Sequence, residues 1–302
     1  MKRPQQPDNA KLMRWATYAS VTTALVLIFA KIIAWLLTDS VSIMATLLDS
    51  SLDVAASLLN LMAVRHALQP ADKEHRFGHG KAEALSGVGQ ALFIAGSAGF
   101  LLLQAIGRIV NPSVTVTGLE VGVGVMIFSI AATLLLLSFQ KYVVKRTEST
   151  AIKADALHYK TDLLVNGSVI IALFLTVYGW SYFDAIFGVG IAIFILYSAW
   201  QIIKEAIDLL MDHEIEDGER DRIVEILSAN DHAIGYHDLR TRRSGTRVFV
   251  QLHLELDASQ TLASAHWIAD TLEKRIAGLF PDAEVMIHED PVWLNAQGQE
   301  SV

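Results

Sequence analysis

The stretch TAIKADALHYKTDLLVNGSVIIALFLTVYGW, Thr150–Trp180, decides how the chain is read. Its apolar part, Leu163 to Tyr178, is short of the roughly 20 residues that cross a bilayer. It reaches that length only as a helix that starts near Thr150 and carries ADALHYKTD into the membrane. His158 and Asp162 then lie four residues apart on one helical face, with Asp155 a turn earlier. Ionisable residues in lipid are costly and face the bundle interior, so this face needs a counterpart.

Five further apolar runs reach spanning length: Tyr18–Leu37, Val41–Ala63, Leu85–Val110, Leu119–Phe139 and Phe183–Ile203. With 52% hydrophobic and 19% charged residues among 302, the composition is that of a membrane protein in the lipid bilayer. Lys and Arg are retained on the cytoplasmic side. They gather in the N-terminal segment (Lys2, Arg3, Lys11, Arg14), in the second-to-third connection (Arg65, Lys73, Arg76, Lys81) and in the fourth-to-fifth (Lys141, Lys145, Arg146, Lys153). The other three connections hold only Arg108, so six spans with both termini cytoplasmic are expected. No small-residue cleavage site follows the first apolar run, which reads as a retained span. A net charge of −8 and the absence of a basic tract argue against nucleic acid. Without cysteine, any metal must be held by nitrogen and oxygen.

The counterpart lies in LLDSSLDVAAS, Leu47–Ser57, where Asp49 and Asp53 are four apart, with Ser50, Ser57 and Asn60 near the same side. Two carboxylates one turn apart repel and cannot both ionise cheaply in lipid, and a bound cation removes that cost. The second and fifth spans run antiparallel, so Asp49, Asp53, His158 and Asp162 can converge on one centre. One imidazole with three carboxylates suits a tetrahedral divalent ion, zinc and its neighbours rather than magnesium or calcium. The competing reading pairs the aspartates with Lys31 or Lys160 in buried ion pairs; helical spacing turns Lys160 away from the His158–Asp162 face.

Two further constellations lie in the aqueous parts. DKEHRFGHGKAE, Asp72–Glu83, offers Asp72, His75 and His79 at spacings of three and four, either three metal ligands or a solvated loop with surface histidines. Beyond Ile203 charged residues become frequent and VFVQLHLEL, Val248–Leu256, alternates with the period of a half-buried strand. A small α+β domain with its helices on one face of a sheet is expected. Its elements are a helix near Asp217–Ser228, strands flanking RRSGT, a helix with an apolar stripe at Leu262, Ala265, Ala269, Leu272, Ile276 and Leu279, and a strand at AEVMIHED. His237, His253, His266, His288 and Asp290 come from separate elements of that domain, as surface histidines or as a metal site. A site spanning two chains would account for both metal and stability in so small a domain.

The aspartate pair, DKEHRFGHGKAE, HYKTD, YHDLRTRRSG, VQLHLEL and IHEDP together resemble the cation diffusion facilitator transporters over nearly the whole chain. The resemblance implies a transport site of Asp49, Asp53, His158 and Asp162, a loop site of Asp72, His75 and His79, and a binuclear tail site of His237, His253, His266, His288 and Asp290. It further implies a homodimer in the inner membrane, a ferredoxin-like, metallochaperone-like tail domain, and a charge interlock between Lys81 and Asp212. Its expected segments are a tail at 1–14, a transmembrane efflux domain at 15–208, a cytoplasmic metal-binding dimerisation domain at 209–292 and a tail at 293–302. Histidine in the fifth-span motif points to Zn²⁺ and Cd²⁺, with Fe²⁺ as a further substrate. Glu289 departs from the family's glutamine and adds a possible ligand.

Metal and protons compete for carboxylates and imidazole, which makes a proton antiporter the expected mechanism. No nucleotide-binding motif is present, so the proton gradient rather than ATP would drive it. A metal-gated channel and an intramembrane metallohydrolase are the alternatives. The hydrolase lacks H-E-x-x-H and an open ligand position. Gly89, Gly96, Ser97 and Gly99 in the third span are small enough for close helix packing, as at a dimer seam.

Overall fold

The computed structural model describes residues 7–38, 41–110, 119–177, 182–280 and 282–293. Two compact units divide the chain, one of Asp8–Ile207 and one built from Asp208 onward.

The first unit is made of long helices: α1 (Pro7–Thr38), α2 (Val41–Ala67), α3 (Lys81–Val110), α4 (Leu119–Thr147), α5 (Thr150–Val177) and α6 (Tyr182–Leu210). Even α2, the shortest at 27 residues, rises about 40 Å, more than the roughly 30 Å of a bilayer's hydrocarbon core. Among the described residues Asn9–Leu37, Lys81–Gly107, Gly124–Thr147 and Gly188–Leu210 are long and apolar enough to span. The unit is inside-out relative to a soluble fold. Phe29, Leu36, Leu103 and Leu135 are exposed, whereas Thr17, Ser20, Ser57, Asn60, Gln140 and Asp155 are buried.

The start of α5 at Thr150 has identifiable causes. Glu148 takes a positive φ of 52° and turns the chain out of α4. Ser149 Oγ then accepts from the Ile152 amide at 3.2 Å, and Glu83 Oε1 from the Ala151 amide at 3.4 Å, satisfying amides that have no partner within the helix. Alanines let neighbours approach closely. Ala154 and Leu157 pack with Ala91, Ile94 and Ala98 of α3 and with Ile195, Ala199 and Ile202 of α6. Ala151 and Ile152 pack with Met13 and Ala16 of α1, Val64 of α2 and Val143 of α4.

Among the described residues Gly89, Gly96 and Gly99 meet nothing within 4 Å, so these positions of α3 stay open, whereas the close approaches within the helical unit use Gly87 against Thr150 and Gly188 against Ala105, each leaving 3.1 Å for an added Cβ.

The second unit runs α7 (Asp217–Ser228), β1 (Gly235–Ser244), β2 (Arg247–Asp257), α8 (Leu262–Ala277) and β3 (Ala283–Val292). Its sheet has the order β1-β2-β3, with β1 and β2 an antiparallel hairpin turned at Gly245 (φ 58°) and β3 parallel to β2 after the α8 crossover. Val250, Leu252, Leu254 and Leu256 form the inner face of β2 and bury against Ile223 and Leu227 of α7 and Ile268, Leu272 and Ile276 of α8. Leu262 does not belong to this stripe: it is 81% exposed, because Thr261 caps the helix and places Leu262 in the first turn, before the packed face begins. Ile268 takes the buried position instead.

Candidate metal sites

In the helical unit, α2 supplies Asp53 and α5 supplies His158 and Asp162, with one ligand atom from each within 4.8 Å of the others. His158 Nε2 lies 3.1 Å from Asp53 Oδ1 and 3.9 Å from Asp162 Oδ2. The imidazole is buried and the two carboxylates are partly exposed. Phe93 and Tyr159 flank the ring edge-on, at centroid distances of 6.2 and 5.6 Å. The Asp49 side chain lies outside the described residues. Lys160 is exposed and sits 5.0 Å over the Phe194 ring, away from the pocket, while Lys31 donates to Ser50 Oγ at 2.5 Å.

Between α2 and α3, Asp72, His75 and His79 also bring ligand atoms within 4.8 Å. Asp72 Oδ1 accepts from the amides of Glu74 (2.9 Å) and His75 (2.6 Å), which fixes the carboxylate. The hydrogen bond from the His75 amide is the main cause that holds its carboxyl below the ordinary value of 3.8. Asp72 Oδ2 lies 3.3 Å from Nε2 of the buried His79, whose buried Nδ1 has no hydrogen-bond partner among the described residues.

In the second unit strand register does the assembly. His237 of β1 pairs with His253 of β2, and His253 with His288 of β3, a row of three imidazoles across the outer sheet face. A bulge between His237 and Arg240, with Asp238 at φ 50°, ends the regular pairing beside the row. Asp290, two residues beyond His288 and so on the same face, reaches all three: His253 Nδ1 at 2.8 Å, His237 Nε2 at 3.1 Å and His288 Nε2 at 3.3 Å. The hydrogen bond from His253 leads the causes that hold the Asp290 carboxyl below its ordinary value, followed after slight desolvation by the charge of His253 and His288. His266 on α8 stands apart from this row and is exposed; its Nδ1 lies 3.9 Å from Glu289 Oε1.

Three clusters of nitrogen and oxygen ligand atoms, in a unit of long apolar helices and a small α/β unit, have a composition that could hold metal ions. Residues 17–211 match the cation efflux transmembrane domain family, and residues 215–292 the cation efflux protein cytoplasmic domain family. The chain belongs to the cation efflux family, the cation diffusion facilitators. It is 46% identical over 281 residues to the cation-efflux pump FieF of Salmonella paratyphi A, covering 93% of each chain, and equally to that of Salmonella agona. Among solved structures, the metal-bound C-terminal domain of the CzcD transporter from Thermotoga maritima is similar over 26% of this chain and 94% of that one. Its sequence identity is 26% and its TM-score 0.24. Family membership makes the chain a membrane transporter for metal cation efflux and not an enzyme.

One polar cluster of this cation efflux protein has no signal in spacing. Asp155 Oδ2 accepts from Gln140 Nε2 at 2.7 Å and from the Ser20 hydroxyl, joining α5 to α4 and α1. Gln140 Nε2 also donates to Ser20 Oγ at 2.9 Å. Asp155 therefore sits apart from the metal pocket, although it lies one turn before His158. Beside it Tyr159 Oη donates to the Ser20 carbonyl at 3.0 Å and lies 2.9 Å from Ser57 Oγ of α2.

Proposed function

We propose that the chain is a proton-coupled exporter that carries Zn²⁺, and also Cd²⁺ and Fe²⁺, out of the cytoplasm. The observation that supports this most is the approach of Asp53 to His158 and Asp162 in the helical unit. Asp49, one turn before Asp53, is the fourth ligand of the transport site. One imidazole among carboxylates favours zinc-class ions over magnesium and calcium. Those groups bind metal only when deprotonated, so a loading ion expels protons and arriving protons release the ion on the far side. Rocking of the helices around the fixed site alternates its access.

Residues 15–208 are the six-span transport domain in the inner membrane, with both termini cytoplasmic and tails at 1–14 and 293–302. Residues 209–292 dimerise two copies in the cytoplasm. The loop residues Asp72, His75 and His79 hold a second Zn²⁺. His237, His253, His288 and Asp290 hold a third, and His266 with Glu289 contributes to a neighbouring ion once two chains meet.

Proteoliposomes test the reading. Zinc uptake should move the internal pH in wild type, and Asp53→Ala should abolish both signals. Zinc uptake with unchanged internal pH would favour a channel, and undiminished transport by Asp53→Ala would overturn the site.

A further inference from the structure

We propose that His66 is a fourth protein ligand of the loop site, so that in this chain the site encloses its ion. This rests on the reading of Asp72, His75 and His79 as metal ligands. His66 lies in the last turn of α2, nine positions before His75, and no spacing within the loop points to it. In space its ring centroid is 4.6 Å from that of His79, the same separation as between His75 and His79. His66 thus borders the buried His79 as His75 does, although its ring nitrogens lie outside the group of Asp72, His75 and His79 whose ligand atoms come within 4.8 Å of one another.

The second observation is His79 itself. Its side chain is 4% exposed, and its Nε2 faces Asp72 while Nδ1 has no hydrogen-bond partner among the described residues. A buried imidazole edge beside two other imidazoles and a fixed carboxylate suits a shared cation better than an uncharged interior. Zinc–nitrogen bonds of about 2.0–2.1 Å place tetrahedral ligand atoms about 3.3 Å apart. His66 is exposed at a helix end, so its side chain has room to change rotamer, and joining the shell requires its ring to turn a nitrogen toward that spacing.

Three protein ligands leave a position for water or for the next carrier, whereas four close the shell and mark a resident ion. His66 thus makes the loop ion a fixture of this chain rather than cargo in transit.

The test uses the full-length protein in detergent, with Asp53→Ala, His253→Ala and Asp290→Ala silencing the other two clusters, loaded with Co²⁺. The expected spectrum is that of tetrahedral cobalt and does not respond to thiocyanate, which binds an open coordination position. Adding His66→Ala should make the spectrum respond to thiocyanate. It should also weaken Co²⁺ binding by at least about tenfold, the lower end of what even outer-shell partners of a metal contribute, and speed release to a chelator. A parent protein that responds to thiocyanate as strongly as the His66→Ala variant, or an unchanged affinity and release rate, overturns the role of His66. Failure of the parent to bind Co²⁺, or binding that survives His79→Ala, instead removes the loop site itself.

Discussion

His158 Nε2 stands 3.1 Å from Asp53 Oδ1, joining α5 to α2 across 105 positions of sequence. Two ligands on a tetrahedral zinc are about 3.3 Å apart, so the atoms that hold these helices together are already spaced to share an ion. Asp53→Asn keeps the shape of the side chain and a hydrogen-bonding oxygen but removes the charge. Zinc flux in proteoliposomes should fall at least about tenfold, the factor that 1.4 kcal/mol of lost ion binding produces, while the protein stays folded. Flux within twofold of wild type would show that Asp53 is not a ligand.

His158→Asp makes the pocket all-oxygen. Carboxylates alone suit manganese and magnesium, whereas imidazole suits zinc and its neighbours. In competition uptake the preference for Zn²⁺ over Mn²⁺ should drop by about tenfold or more, that is by roughly 1.4 kcal/mol. An unchanged preference would mean that the imidazole does not touch the ion.

Asp155 lies one turn from His158 yet serves a different purpose, because its carboxylate is held by Ser20 and Gln140. Asp155→Ala removes the acceptor that both groups share, while Ser20 Oγ keeps its bond to the Ala16 carbonyl (3.1 Å) and Gln140 Nε2 its bond to Ser20 Oγ (2.9 Å), so two hydrogen bonds are lost at about 0.5–1.5 kcal/mol each. Thermal unfolding in detergent should shift down markedly, whereas zinc binding by the C-terminal histidine row should not change. Asp155→Asn, whose amide oxygen can take the place of Oδ2 as acceptor but carries no charge, should fall between wild type and Asp155→Ala. A melting temperature unchanged in Asp155→Ala would remove the structural role.

Periodicity made parts of this molecule legible. An apolar run too short to cross a bilayer forced α5 to begin near Thr150, and alternation along Val248–Leu256 set His253 on the outer sheet face. Spacing four apart linked His158 to Asp162, but their meeting with Asp53 rested on the antiparallel run of two spans. Leu262 misled because apolarity at helical spacing does not say where a capped first turn ends and packing begins. Ser20, Gln140 and Asp155 are single polar residues on three helices, and His66 belongs to a helix end. No local pattern connects residues that only tertiary packing brings together.

At the end of β2, Asp257 Oδ1 accepts from the Ser259 amide at 2.8 Å, and that bond holds its carboxyl below the ordinary value of 3.8. A depressed carboxyl lends stability above its unfolded pKa and loses it as pH falls through the folded one. Wild type should therefore exceed Asp257→Ala in the urea midpoint of the C-terminal domain by a constant margin from neutral pH to about pH 5, above the range where free aspartate titrates. The margin should shrink once the pH falls below 3.8 and disappear when Asp257 is protonated in both states. Asp257→Asn retains an uncharged acceptor for the same amide, so its margin over Asp257→Ala should not vary with pH across this range. A wild-type margin that is equally flat would show that the charge on Asp257 contributes nothing to the turn.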